Sequence, residues 1–189
     1  MIPAAHLSLL WLALAAPGSA PAAYRLQPDH TSITFTYHPM GVLKSTGQIR
    51  HADGKGTFDP AAPENSAIEV QIDMDSLTVG NGMVDGALRG PDYFDVAHYP
   101  SATFRSTRVT PTGDGTAVVD GLLTLHGITR PVRLTATYHA RPGSGTDLDV
   151  SVSGTVSRSA FAIGSNGLLA GDEISLRISA LAEATDDDW

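Results

Sequence analysis

Six of the seven histidines, His30, His38, His51, His98, His126 and His139, are the first candidates in this chain for proton transfer or metal ligation. No two of them stand at a ligand-spaced interval on one local element. Asp73-Met74-Asp75 has the opening of a calcium loop, but Leu77 occupies the third ligand position and no spaced Glu follows. There is no G-x-S-x-G, no Walker A and no H-E-x-x-H. Cysteine is absent, which removes thiol nucleophiles, thiolate metal sites and disulfides. An enzymatic reading is left with His38, His98 and Asp92 as the groups to inspect for an acid–base pair. The expectation is a protein that is not an enzyme: no catalytic residues, no metal and no cofactor. What remains is the chemistry of apolar surface.

That surface must be positioned by strands. Ile33, Phe35 and Tyr37 alternate with polar residues, as do Ile68, Val70 and Ile72, then Val132, Leu134, Ala136 and Tyr138, then Leu148, Val150 and Val152, then Ile174, Leu176, Ile178 and Ala180. Further strands are expected near 45–51, 101–109 and 116–125. Asp53-Gly54, Gly113-Asp114-Gly115, His126-Gly127 and 141–145 read as turns or loops. About eight strands, with no helix long enough to cover a sheet, bury their apolar faces and lose their edges by closing into an antiparallel barrel. A two-sheet sandwich has the same periodicity. Eight strands enclose an interior that side chains can fill or that can hold one small ligand. Small residues at inward positions, Ala102, Ala136, Gly154 and Ala180, either admit bulky neighbours or leave room.

One stretch breaks the period. Between Asn81 and Thr107, Val84, Ala87 and Leu88 share a helical face, and Asp85 and Arg89 stand i,i+4 for an ion pair. Asn81 is an N-cap and Gly90-Pro91 a stop. The spacing predicts a short helical segment near 82–95, one or two turns in all, ending in the aromatic pair Tyr93-Phe94 as an anchor.

Residues 7–16, LSLLWLALAA, have the length of a signal-peptide apolar region and are too short to span a bilayer. Ala20-Pro21-Ala22 fits a cleavage site, which gives a signal peptide over 1–22, a barrel domain over 23–184 and an acidic tail over 185–189. The expected location is periplasmic or secreted, with no integral membrane segment after cleavage. The net charge of −8 and the lack of any basic run argue against nucleic acid as a partner.

Several stretches together resemble the YceI family of periplasmic polyisoprenoid-binding proteins. They are D-x-x-L-R-G-x-D-Y-F-D-V-x-x-Y-P-S-A-T-F-R-S-T from Asp85, Y-R-L-Q-P-D-H-T-S-I-T-F from Tyr24 and H-P-M-G-V-L-K-S-T-G from His38. G-L-L-T-L-H-G-I-T-R-P-V-R-L from Gly121, R-S-A-F-A-I-G from Arg158 and G-D-E-I-S-L from Gly171 complete the set. The resemblance implies an all-β, eight-stranded, lipocalin-like barrel that binds a lipid in its interior. The ligand would be a polyisoprenoid, an isoprenoid quinone or a similar long-chain amphiphile, held for carriage, storage or stress protection. The apolar channel would be lined by Ile33, Phe35, Tyr37, Leu88, Phe94, Phe104, Leu123, Leu134, Tyr138, Val152, Phe161, Ile163 and Ile178, with Leu88 and Phe94 near its entrance. Arg89, Arg158 and His38 are the candidates to hold a polar head. Asp29, His30 and Ser32 are expected to form a structural hydrogen-bond cluster at a barrel end. The chain departs from the family at Val84 and Ala87, where Arg and His are common, and at Ala162, which replaces a Gly. The competing readings are a filled barrel that serves as a protein-interaction or stress-response module and a lipid-modifying enzyme. A homodimer is compatible with either architecture.

Overall fold

The computed structural model describes residues 21–38, 43–59, 62–164 and 171–185. Its elements are β1 (Ala22–Leu26), β2 (Ser32–Tyr37), β3 (Ser45–Ile49), β4 (Ala52–Phe58), β5 (Ala67–Asp73) and β6 (Leu77–Thr78). These are followed by α1 (Gly82–Arg89), β7 (Ser101–Gly113), β8 (Thr116–Leu125), β9 (Ile128–Ala140), β10 (Leu148–Ser157) and β11 (Glu173–Thr185). Because β1 pairs with both β4 and β11, the order β1-β4-β5-β7-β8-β9-β10-β11 returns on itself, and the sheet closes as an eight-stranded antiparallel barrel. The expected signal peptide lies almost wholly outside the described residues, as does most of the acidic tail. β1 begins at Ala22, one residue before the expected mature N-terminus.

The first three strands of the wall are each broken in two. β11 lies against β2 at Ser175–Ser179 and against β1 from Ala182 to Thr185, so β1 and β2 are halves of one strand. A 3-10 turn at Pro28–His30 separates them, where Pro28 contributes no N–H. β3 and β4 form the second strand, broken at Arg50-His51. β5 and β6 form the third, broken by a 3-10 turn at Met74–Ser76 that the Asp73 side chain caps. The breaks sustain one another: Ser76 Oγ accepts the N–H groups of both Arg50 and His51 at 3.1 Å. Asp29, His30 and Ser32 are exposed and sit mid-wall rather than at a barrel end. The buried hydroxyl of that turn is Thr31, which donates to the Gln27 carbonyl at 2.8 Å.

Asp53-Gly54, expected as a turn, lies inside β4. The reason is packing: a Cβ on Gly54 would stand 2.4 Å from a Leu26 methyl, and one on Gly56 2.6 Å from the Ala67 carbonyl oxygen. These glycines permit close approach between strands, a use that local sequence does not distinguish from a turn.

The interior has two unlike halves. At the end carrying α1, the buried residues Phe35, Met74, Leu77, Val96 and Ala102 pack together, with Tyr37, Leu88 and Phe94 half-buried against them. Phe94 also packs against the larger cluster around Phe104, Leu123, Leu134, Phe161 and Ile163. Phe161 is 1% exposed and Leu77 0%, so this end is plugged. α1 is capped as expected: Asn81 Oδ1 accepts the N–H groups of Met83 and Val84. The expected Asp85–Arg89 pair does not form a contact. Asp85 turns instead to the Thr78 hydroxyl and the Val79 N–H, both at 2.6 Å, and so staples α1 to β6.

Candidate functional site

The other half of the barrel is hollow. A cavity of about 200 Å³ runs through it, lined by side chains from every strand of the closed ring. Its emptiness has a sequence cause. β4 contributes Ala52 and Gly56 to its wall, and other strands add Ala117, Ala136, Ala180 and Ala182. Ala117 and Ala136 are cross-strand partners, so two small residues stand side by side in the wall. A single water needs about 10–15 Å³ on a comparable measure and two to four polar partners. This cavity is many times larger, and its surface is almost wholly apolar. Such a space suits hydrocarbon and not water.

Of the expected channel residues, Ile33, Phe104, Leu123, Leu134, Tyr138, Val152 and Ile178 line the cavity. Phe35, Tyr37, Leu88, Phe94, Phe161 and Ile163 do not line it; they form or flank the plug. Leu88 and Phe94, expected near the entrance, lie at the plugged end. Alternation along a strand separates inside from outside, but does not report the level along the barrel axis. The wall residues missed by sequence reasoning include Ala52, Gly56, Ala117 and Ala182. Their signal is in the sequence, as small residues on one face, but on β4 it reads as a turn. Gly154, by contrast, makes room for a neighbour, because a Cβ there would stand 2.5 Å from a Leu134 methyl.

The head-group candidates lie elsewhere. Arg89 donates to the Leu77 carbonyl at 2.7 Å, and its Nε stands 3.8 Å from Asp75. Arg158 donates to the carbonyls of Ile163, Gly164 and Gly171 at 2.8–3.3 Å and so pins the turn after β10. His38 is exposed. None of the three lines the cavity. Val84 and Ala87 are exposed on α1, so those departures from the family pattern are also remote from it. Ala162 adopts a left-handed backbone, φ 55°, in the place where the family has Gly.

The groups named for an acid–base pair, His38, Asp92 and His98, are all exposed. His98 is exposed and bound to Asp95 at 2.9 Å. His126 holds the β8–β9 turn, with its Nδ1 3.0 Å from the Phe161 carbonyl and its ring edge-on to Tyr99. Among the described residues no group of three or more His, Asp or Glu is placed to hold a metal ion, and no helix is long and apolar enough to cross a membrane.

The end of the cavity opposite the plug carries aromatic rings with polar tips. Phe58 stands edge-on to Tyr24, with centroids 6.2 Å apart, and to Tyr138, at 4.7 Å. The Tyr24 hydroxyl donates to the Thr146 carbonyl at 3.2 Å. Burial first, and then a nearby carboxylate, push both phenols above their ordinary pKa: Asp147 beside Tyr24, Asp114 beside Tyr138.

The chain was compared with known proteins. A family model described as a YceI-like domain matches residues 24–182. A UPF0312 protein of Pseudomonas savastanoi pv. phaseolicola is 38% identical over 141 residues, covering 73% of this chain and 72% of the relative. One of Pseudomonas putida (strain W619) matches with the same identity and coverage. Among solved structures, Burkholderia cenocepacia BcnA superposes with a TM-score of 0.77 at 24% identity, over 84% of this chain and 99% of that one. A polyisoprenoid binding domain from Saccharophagus degradans, implicated in plant cell wall breakdown, gives 0.68 at 18% identity over 87% and 99%. At these identities the structural likeness establishes the fold.

Proposed function

This chain belongs to the YceI-like domain family, and on that basis we propose that it is an exported protein holding an isoprenoid-type lipid in the hollow half of its barrel. The observation that carries this reading is the apolar cavity of about 200 Å³, walled by small residues and backed by a plug. The polyisoprenoid binding of the Saccharophagus degradans domain, which shares the fold, supports the same class of ligand. Binding would draw on removal of prenyl hydrocarbon from water, about 25 cal/mol per Å², less the cost of association. Catalysis has no matching support: the inward register of the cavity presents neither imidazole nor carboxylate. Carriage, storage or protection of the lipid are all compatible with such a container.

The test is mass spectrometry of protein exported by its own N-terminus and purified without detergent, first intact under native conditions and then as an organic extract. A stoichiometric adduct that extracts as a prenyl lipid, quinone or acyl lipid is the expected result. A clean apo mass, together with no uptake of added isoprenoid quinone, would favour a barrel that works without cargo. A mass lacking residues 1–22 is the expected sign of export.

A further inference from the structure

The wall fixes the length of the hollow half. The cavity lining runs over 117–123 on β8, 132–138 on β9 and 176–182 on β11. Each span is six residue steps, about 20 Å along the strand. Strands tilted by about 35–45° turn that into about 14–16 Å along the barrel axis. An isoprene repeat advances four chain bonds, about 4.5–5 Å at the reach per bond of an extended chain. About three units therefore fit fully extended, and about four if the chain coils. Volume leads to the same length. At about 10–15 Å³ for each water-sized group, a cavity of about 200 Å³ takes on the order of 13–20 groups, the carbon count of three to four units.

The closed end is built of large side chains. Phe104, Leu123, Leu134 and Val156 line the cavity and pack in one cluster with the buried Phe161. Leu176 stands at the junction, since it lines the cavity and packs against both buried clusters. Its partners in register explain the stop. On one side is Phe35 of the plug, whose ring fills the space that a Cβ on Gly47 would need. On the other is Gly154, where a Leu134 methyl takes the place of the missing side chain. A chain lying in the cavity abuts Leu176 at this end, with the Phe35 ring alongside.

Resting on the lipid-holding reading above, we propose that the barrel gauges the length of its cargo: it shelters prenyl chains of up to about four isoprene units, and Leu176 sets the stop. Chains within that limit exchange one apolar environment for another when they pass from a bilayer into the barrel. The excess of a longer chain is left in water, which the bilayer had spared it.

The test offers the delipidated, mature protein a choice. It is incubated with phosphatidylcholine vesicles carrying geraniol, farnesol, geranylgeraniol, hexaprenol and octaprenol in equal amounts, freed of vesicles and weighed by native mass spectrometry. Farnesol and geranylgeraniol should dominate, with hexaprenol and octaprenol about tenfold or more below them. Leu176→Phe, which adds bulk at the stop, should move the maximum toward shorter chains, and Leu176→Ala toward longer ones. Leu148→Ala, at the opposite end of the lining on β10, should leave the maximum in place. The wild-type distribution decides the length limit even where a Leu176 variant does not fold. Octaprenol taken up as readily as geranylgeraniol, or a maximum that Leu176→Phe and Leu176→Ala leave unmoved, overturns the proposal while the lipid-holding reading stands. Uptake of none of the alcohols overturns both.

Discussion

Filling the cavity with a side chain reverses sign depending on whether the space is real. Ala136 is 7% exposed, lines the cavity, and lies between Ala117 on β8 and Val152 on β10. Ala136→Leu adds three carbon atoms to the interior. If they enter empty apolar space, each contributes about 0.8 kcal/mol, roughly 2.4 kcal/mol in all. Ordering the new side chain costs about 0.5–1 kcal/mol, so the delipidated protein should gain about 1.5–2 kcal/mol. For a chain of this size that is a rise in Tm of about 3–8 °C. A close-packed interior would instead lose about 1–3 kcal/mol to overpacking. Urea titration of the delipidated mature protein separates the two outcomes. The same variant should bind any prenyl ligand more weakly than wild type, because protein and ligand now compete for one volume. A variant destabilised by more than about 1 kcal/mol, its fold intact by circular dichroism, would mean that the hollow half is filled and that the reasoning from small residues is wrong.

Phe161→Ala, in the plug at 1% exposure, should cost about 3–5 kcal/mol of stability by urea titration and leave the lipid affinity of the folded fraction unchanged. Ala162→Gly should stabilise by about 1 kcal/mol in the same assay, since the position holds a left-handed backbone that glycine adopts freely. Asp85 is held below the usual carboxylate range by the Thr78 hydroxyl first and the Val79 N–H second. A depressed folded pKa stabilises above the unfolded value and is lost as pH falls through the folded one. Stability should therefore decline below about pH 4, and Asp85→Asn should flatten that acid limb and be less stable at neutral pH, as read from urea midpoints across the series. Gly47→Ala should destabilise, because its Cβ would stand 2.1 Å from the Phe35 ring tip and displace a residue of the plug; loss of Phe35 protection in side-chain NMR is the accompanying sign.

What the sequence discloses is local, and what it conceals is long-range. Period-two alternation in Ile33–Tyr37 and Val132–Tyr138 identifies strands and their inward faces, because one face must meet the core. The Asn81 cap of α1 is legible because its partners are two and three residues away. The expected Asp85–Arg89 pair is defeated by Thr78 and Val79, which offer Asp85 two short hydrogen bonds from a neighbouring strand. Phe35 and Leu134 have the same pattern signature, yet one seals the plug and the other walls the cavity. Only strand register decides that, and register belongs to pairs of strands, not to either one. Arg89 and Arg158 also make hydrogen bonds to backbone carbonyls that pattern cannot foresee.

The breaks in the second and third strands of the wall share hydrogen bonds through Ser76. The cavity lies on one side of these breaks and the α1 plug, with its own buried cluster, on the other. Side chains that fill or widen the cavity can therefore change without touching the residues that seal the plug.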